Sequence, residues 1–257
     1  KYNNYSFYRE VYKMTVTNLD ERKICFIISK SDLSKYKKTV NSLTTLICPK
    51  GYEILVRSFT ENNTAAAYNR IMRENDAKYK IYVTAGTEFI NENLLAELIA
   101  IFRKNWAIGI VGTSGAVFLP TNGISLSAIK RVGKVMMPDG VLAWSDISDV
   151  YKKVQVIDSF FLATQYDIKW RDDLFLSEIF TKAGQCVEFK KQYYLTVVAK
   201  QPAIPWCKLE NLPTAYDETE RNLFLNEYTK DIYPLVSILI PTYNRPYFFE
   251  KALHSAV

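Results

Sequence analysis

Small polar residues follow the apolar runs of this chain, and they are its first candidates for ligand binding. Ser29 and Lys30 end the first run, Ser58 ends the second, and Thr84 begins the polar turn after the third. In α/β sheets, ligands bind at the carboxyl ends of parallel strands. The predicted pocket comprises Ser29, Lys30, Ser58, Asn62, Asn63, Asn69, Thr84, Ala85 and Gly86. Alternatively these residues cap helices and loops, and the sequence leaves both interpretations open.

The elements that would position this pocket alternate between strands and helices. Short apolar runs predict strands, and amphipathic spacing predicts helices. The strands are expected at 23–29, 52–58, 80–84 and 108–112, and the helices at 32–45, 64–74 and 93–104. This alternation predicts an α/β fold with a mostly parallel sheet and right-handed crossovers.

The later half of the chain is less regular. A glycine-bearing stretch predicts a hairpin around 133–140, and a long apolar run predicts a strand at 154–164. The last predicted elements are a helix at 174–183 ended by Gly184, strands at 187–189 and 196–199, and a helix at 219–228.

Composition excludes several classes of protein. Apolar residues form 48% and charged residues 23% of the chain, which excludes a disordered or fibrous class. The net charge is +6, but the lysines are scattered, so no nucleic-acid partner is predicted. The four cysteines lack metal-site spacing, and no apolar run is long enough to span a bilayer. We therefore expect a cytoplasmic protein, either free or at the inner face of the membrane.

The pattern of strand, polar turn and aromatic-led helix restarts near the end of the chain. A buried strand is expected at 234–240, and a helix is expected from Tyr247. The predicted organisation is an N-terminal arm (1–22), one α/β domain (23–230) and the truncated first strand and helix of a second domain (234–257). The first residue is a lysine and the chain stops within an amphipathic pattern, so we expect a fragment of a longer protein.

Several segments match the patterns of one known superfamily. The segment V-S-I-L-I-P-T-Y-N-R-P at 236–246 resembles the opening of family 2 nucleotide-sugar glycosyltransferases, which have the GT-A fold. Residues 23–228 resemble another branch, the streptomycin-biosynthesis-type glycosyltransferase-like domains. The matching segments are I-C-F-I-I-S (24–29), N-T-A-A-A-Y-N (63–69), K-Y-K-I-Y-V (78–83), F-I-N-E-N-L (89–94), I-G-I-V-G-T-S-G-A (108–116), V-I-D-S-F-F-L-A-T (156–164) and P-W-C (205–207).

The resemblance implies a GT-A domain, a Rossmann-like sheet flanked by helices, that binds a nucleotide sugar and a divalent metal (Mn²⁺ or Mg²⁺). The predicted pocket would hold the nucleotide, Asp158 would lie on the side of a glycan or protein acceptor, and carboxylates would hold the metal and act as base. Thr84 and the two residues after it stand where the metal motif is expected, so Glu88 is the remaining candidate ligand, unless it is merely exposed. The base motif after Trp170 looks deleted. The candidate substitutes are Asp172, Asp173 and Glu178, unless these are charges at a helix N-terminus.

Three functions follow as hypotheses. The first is a glycosyltransferase region of a larger bacterial protein, in which this domain is weakly active or inactive. The second is a non-catalytic GT-A-like module that binds an acceptor, dimerises, or positions a downstream family 2 glycosyltransferase domain. The third is a nucleotidyltransferase, which would need a glycine- and arginine-rich first loop that residues 29–34 lack. Whether the chain forms a homo-oligomer stays open.

Overall fold

The structure is a computed structural model that describes residues 19–233, 243 and 245–256, with side chains as far as 254. Residues 1–18 of the predicted arm and the predicted strand at 234–240 lie outside the described residues. Within the described part of the chain, no helix has the length and apolar character needed to cross a membrane.

Thirteen strands and six α-helices are formed by the described residues. The strands are β1 (Asp20–Ser29), β2 (Glu53–Phe59), β3 (Ala77–Val83), β4 (Glu88–Phe89), β5 (Ile108–Gly112), β6 (Ser114–Ala116), β7 (Arg131–Met137), β8 (Gly140–Ala143), β9 (Tyr151–Lys153), β10 (Val156–Ile157), β11 (Phe161–Thr164), β12 (Leu195–Ala199) and β13 (Cys207–Lys208). The helices are α1 (Leu33–Ser42), α2 (Thr64–Glu74), α3 (Leu94–Lys104), α4 (Glu178–Lys191), α5 (Glu218–Ile232) and α6 (Pro246–Ala256), with short 3-10 turns at Leu43–Thr45 and Ser125–Ser127.

The central sheet confirms the predicted α/β class. Its strand order is β2-β1-β3-β11-β5-β12-β9. Strand β1 runs parallel to β2 and β3, and β12 runs parallel to β5, whereas β11 and the edge strand β9 are antiparallel to their neighbours. The parallel strands therefore place their carboxyl ends at one edge, as a ligand site requires.

A second, smaller sheet lies beside this edge. Its order is β10-β6-β7-β13-β4, and β8 pairs with β7 as an antiparallel hairpin, which confirms the predicted hairpin. The segment after β3 joins the two sheets, because β4 pairs with β13 only a few residues after β3 has ended.

Three predicted elements were wrong. The predicted strand at 187–189 belongs to α4, and Gly184 lies inside this helix instead of ending it. A Cβ at Gly184 would come within 2.8 Å of the Phe175 ring, so the glycine serves close packing rather than helix termination. The predicted strand at 154–164 is divided into β10 and β11, because the chain changes from the smaller sheet to the central sheet between them.

Apolar side chains pack on both faces of the central sheet. Helices α2, α4 and α5 cover one face, where Tyr68, Tyr82 and Trp170 form a mutually packed aromatic group with ring centroids 4.6–4.7 Å apart. Helix α3 covers the other face with its buried leucine stripe. Both helical faces agree with the 3.6-residue periodicity of their sequences.

Candidate functional site

The carboxyl ends of β1, β2 and β3 come together at one edge. Ser29 is in register with Phe59, and Ile28 is in register with both Ser58 and Val83. Lys30 and Thr84, which directly follow β1 and β3, therefore lie at the same edge. The turn at Thr84–Gly86 is partly buried, which suits a pocket floor.

The first loop at this edge is ordered by its own side chains. The Ser29 and Ser31 hydroxyls are 2.8 Å apart, and Asp32 caps α1 by accepting a hydrogen bond from the Lys35 amide. The Lys30 ammonium lies 5.0 Å from the Tyr36 ring centroid, within cation–π range. Lys30 is exposed and Ser29 partly buried, so both remain accessible to a ligand.

The predicted asparagines divide into two groups. Asn62 is exposed beside the edge, whereas Asn69 is buried and exchanges two 2.9 Å hydrogen bonds with the backbone of Trp170. Asn63 caps α2 through the Ala66 amide and donates to the carbonyl of Asp172. The capping interpretation therefore describes Asn63 and Asn69, whose amides hold the segment that precedes α4.

Asp172 and Asp173 lie in a turn and not at a helix N-terminus. The Asp172 carboxylate lies 3.4 Å from the Lys169 ammonium, and Asp173 accepts hydrogen bonds from Arg171. These hydrogen bonds from Arg171 hold the pKa of Asp173 below its usual value. Arg171 also donates to Glu227 of α5, so the aspartates belong to a surface ion-pair group.

Glu178 is the one predicted carboxylate with a recorded contact to the predicted pocket floor. It is the first residue of α4, and its Oε2 accepts hydrogen bonds from the Thr84 hydroxyl and from the Lys182 ammonium at 3.1 Å. Lys182 is fully buried and also donates to the Ser159 carbonyl at 2.6 Å. Burial lowers the pKa of Lys182, and the nearby Glu178 carboxylate opposes that change.

A second carboxylate fixes the start of α4. Glu220 of α5 accepts hydrogen bonds from the amides of Leu176 and Ser177, at 2.6 and 2.9 Å, and from the Ser177 hydroxyl. The Leu176 carbonyl in turn accepts from the Thr64 amide at the start of α2. Glu220 thus fixes the two residues that precede Glu178, and the segment before α4 is held by both α5 and α2.

Glu88 lies apart from this group, in β4. Its carboxylate is 3.5 Å from the Lys38 ammonium and 3.9 Å from the Lys208 ammonium. No group of three or more His, Cys, Asp and Glu side chains suited to a metal occurs within the described residues. Glu88 Oε1 is buried and accepts no hydrogen bond within the described part of the chain, and the two lysines are the cations nearest to it.

Asp158 is held in a buried ion pair. Its Oδ2 lies 2.5 Å from the Arg131 guanidinium and also accepts from the Ser114 hydroxyl, and its Oδ1 accepts from Ser125 at 2.5 Å. The Arg131 guanidinium stacks 4.2 Å from the Trp144 ring centroid. Both carboxylate oxygens are thus engaged by side chains of the protein, although Asp158 also lines the cleft described below.

A cleft adjoins the Glu178 group. Its lining includes Asp158 and Ser159, Ile179 and Phe180 of α4, and Tyr216, whose ring lies edge-on to the Phe180 ring with centroids 6.1 Å apart. The cleft therefore begins where the Ser159 carbonyl contacts Lys182.

Lys182, Glu220 and Arg131 were not among the residues predicted from the sequence. The spacing of Glu178 and Lys182, four residues apart on one helix, carries a signal for an ion pair. The contacts of Glu220 and Arg131 join segments far apart in sequence, so no local pattern reveals them.

The fold and the comparisons define the class of protein. The structure of GalNAc-T7 with UDP, GalNAc and Mn²⁺ aligns with 82% of this chain at a TM-score of 0.54 and 11% identity, and this chain spans 49% of its length. The structure of S. aureus TarS with UDP-GlcNAc is also similar: the match covers 76% of this chain and 62% of that chain, with 10% identity and a TM-score of 0.49. The match to PcManGT from Pyrobaculum calidifontis with GDP-Man and Mn²⁺ covers 82% of this chain and 65% of that chain, with 8% identity and a TM-score of 0.47. The fold is that of the GT-A glycosyltransferases.

Sequence comparison then gives the family. The model of the glycosyltransferase like family matches residues 25–228, and the chain belongs to that family. No curated protein matches the sequence.

Proposed function

We propose that this domain binds a nucleotide-sugar donor and works as a glycosyltransferase-like unit, with Glu178 as the carboxylate at the transfer site. One observation carries the proposal: Glu178 contacts Thr84 at the carboxyl end of β3. A candidate base therefore lies against the predicted nucleotide pocket. Membership of the glycosyltransferase like family supports the same conclusion.

The two oxygens of Glu178 would have separate roles. The recorded hydrogen bonds from Thr84 and Lys182 both fall on Oε2. Its side chain is 19% exposed, so Oε1 is the oxygen available to an acceptor. Oε1 would take the proton of an acceptor hydroxyl while the acceptor oxygen bonds to the anomeric carbon of the sugar. The bond between that carbon and the diphosphate would break, and the nucleoside diphosphate would leave with its electrons.

The remaining pocket residues would hold the donor. Ser29, Lys30, Ser58, Asn62 and the turn at 84–86 lie at the strand ends where ligands bind in such sheets. The cleft beside α4 is our candidate for the acceptor, because it starts next to the Glu178 group. A glycan or a protein side chain would suit this position equally.

The test combines binding with turnover. We expect a UDP- or GDP-sugar to raise the thermal midpoint and to release nucleoside diphosphate slowly. Glu178→Gln should lower the thermal midpoint of the free protein, because the buried Lys182 ammonium loses its counter-ion. In the folded variant, nucleotide should still raise that midpoint, and release should fall by about 100-fold or more, the usual effect of removing a general base. Asp173→Asn is the matched control, since its carboxylate pairs with Arg171 at the surface. If no nucleotide binds, the donor assignment is wrong.

The second candidate is a non-catalytic module. It is favoured by the same ion pair, because Lys182 and Thr84 already occupy Oε2 of Glu178. Such a module would bind an acceptor, dimerise, or position a catalytic domain. Donor binding with no release of nucleoside diphosphate above the rate of Glu178→Gln would select this candidate.

The wider context is proposed from the sequence resemblance alone. We propose a bacterial parent protein that acts at the cytoplasmic side of the membrane, in which residues 234–257 open a family 2 domain. The helix α6 at Pro246–Ala256 supports the predicted helix of that domain. Expression of the longer chain, followed by limited proteolysis, would show whether a second folded domain begins near residue 234.

A further inference from the structure

The end of β3 already contains a cation that belongs to the protein. The Lys182 ammonium is fully buried there and lies 2.6 Å from the Ser159 carbonyl, 3.1 Å from Glu178 Oε2 and 3.2 Å from the Thr84 hydroxyl. An ammonium has three donors and no acceptor, so three oxygens satisfy it completely. The group is therefore a closed, charge-balanced pair of one lysine and one glutamate.

The same three oxygens are the kind of ligands that a divalent metal uses. Carboxylate, carbonyl and hydroxyl oxygens are preferred by hard cations such as Mg²⁺, Ca²⁺ and Mn²⁺. A metal ion at this point would have to displace Lys182 from Glu178 or lie close to its positive charge. Displacement would leave the ammonium buried without its counter-ion. A metal ion beside the ammonium would place two positive charges close together.

Glu88 would need a loop shift to complete a metal site with Glu178, since the two carboxylates belong to no metal-type cluster among the described residues. The segment that leads to Glu88 is tied down, because the Gly86 amide donates to Thr39 at 2.8 Å and the Phe89 amide donates to Ser42 at 2.9 Å. Glu88 Oε1 is buried and accepts no hydrogen bond from the described residues, and its nearest cations are the Lys38 and Lys208 ammonium groups at 3.5 and 3.9 Å. A loop shift toward Glu178 would break these contacts. The residues present therefore do not fit the divalent metal that the fold family implies.

We propose that Lys182 takes the place of a divalent metal in this domain, so that nucleotide binding does not depend on metal ions. This inference rests on the proposed function only for its nucleotide part. The negative charge of the diphosphate would be neutralised by two exposed lysines at the pocket edge, Lys30 and Lys35. Lys30 directly follows Ser29. The aliphatic part of Lys35 packs beside Gly86, 3.6 Å from the position that a Cβ there would occupy.

The first experiment uses the wild-type protein after removal of metals with EDTA. Binding of UDP and GDP is measured by calorimetry with and without Mn²⁺, and binding of Mn²⁺ is measured separately by electron paramagnetic resonance. We expect the nucleotide dissociation constants with and without Mn²⁺ to agree within about twofold. A tenfold difference would correspond to about 1.4 kcal/mol of binding free energy. Tightening by tenfold or more with Mn²⁺, or bound Mn²⁺ that Glu178→Gln abolishes, would overturn the inference.

Failure of the proposed function gives a different result. If neither nucleotide binds in either condition, the donor assignment fails, and the inference about Lys182 is then decided by the Mn²⁺ measurement alone. Absence of Mn²⁺ binding to the wild type would still support the inference.

The second experiment opens the site. Lys182→Ala removes the ammonium and leaves the carbonyl, carboxylate and hydroxyl facing a small space, so we expect it to gain Mn²⁺ with a dissociation constant on the order of 1 mM, as for weakly charged oxygen sites. Mn²⁺ should raise its thermal midpoint, and adding Glu178→Gln should remove the gain. Lys182→Met, which fills the space with an apolar chain, is the matched control. It should not bind Mn²⁺, and Mn²⁺ should not change its thermal midpoint. A folded Lys182→Ala that does not bind Mn²⁺ would refute the proposal, and the wild-type measurement decides it if that variant does not fold.

Discussion

Replacing Asp158 by alanine tests whether this residue is structural or faces an acceptor. The carboxylate and its partner Arg131 have side chains only 3% and 4% exposed, and they are 2.5 Å apart. Removing one member of a buried pair leaves the other charged and unpaired, which costs about 3–5 kcal/mol. The hydroxyls of Ser114 and Ser125 would lose their acceptor as well.

The expected shift in thermal midpoint follows from this free energy. For a domain of this size, 1 kcal/mol corresponds to roughly 2–4 °C, so Asp158→Ala should unfold about 6–20 °C below the wild type. The assay is thermal unfolding followed by circular dichroism, with urea unfolding for the free energy. The matched control is Asp149→Ala, because Asp149 is an exposed aspartate 3.6 Å from Lys104, and its removal should leave the midpoint unchanged.

A double variant separates the ion pair from its surroundings. Replacing Asp158 by leucine and Arg131 by methionine together should recover much of the lost stability, because a buried pair is often replaced by apolar residues at little cost. A loss below about 1 kcal/mol for Asp158→Ala would refute the reasoning, since only a solvated carboxylate behaves in that way. Asp158 would then return as a candidate acceptor residue.

Two further substitutions and one labelling experiment test the positions of particular residues. Gly133→Ala should lower the free energy of unfolding in urea by about 2–5 kcal/mol, because φ is +97° and a Cβ would lie 2.2 Å from the Thr113 carbonyl oxygen. Gly140→Ala is the control: its φ is also positive, but a Cβ there meets nothing within 4 Å, so it should cost only about 1–2 kcal/mol. Glu220→Ala removes the acceptor of three hydrogen bonds at the start of α4 and should cost about 2–3 kcal/mol, against about 0.5 kcal/mol or less for the exposed Glu218→Ala. Ellman's reagent should label Cys48 alone in the folded protein, because the other three thiols are buried and burial raises their pKa, and rapid labelling of a second thiol would contradict this burial.

Local patterns predicted the regular elements of the first half well. Helix α2 and strand β5 begin and end where the sequence indicated. Helix α2 combines an amphipathic periodicity with the Asn63 cap, and β5 is a short run that is buried along its whole length. The errors lie where tertiary contacts override such signals. Gly184 carries the local signal of a helix end, yet Phe175 packs on it and α4 continues to Lys191.

The candidate site was predictable only in part. The strand ends that would hold a ligand follow from the alternation of elements, and Glu178 was among three candidate carboxylates. Choosing between them required contacts across the fold, since only the structure shows that Thr84 and Ser159 approach α4. Asp172 and Asp173 lie closer to Trp170 in sequence than Glu178 does, but they pair with surface cations.

The ion pair of Glu178 and Lys182 links stability to chemistry at this edge. A tethered ammonium needs no binding equilibrium and cannot be removed by a chelator, but its burial is tolerated only while three oxygens surround it. One of these oxygens belongs to the candidate base, so the lysine that neutralises the site also occupies half of the carboxylate. An acceptor hydroxyl would have to use the other oxygen, and any movement of the carboxylate toward it would take a counter-ion away from the buried ammonium. A slow transferase, or a module that binds without transfer, is therefore the expected consequence of replacing a metal by a lysine at this position.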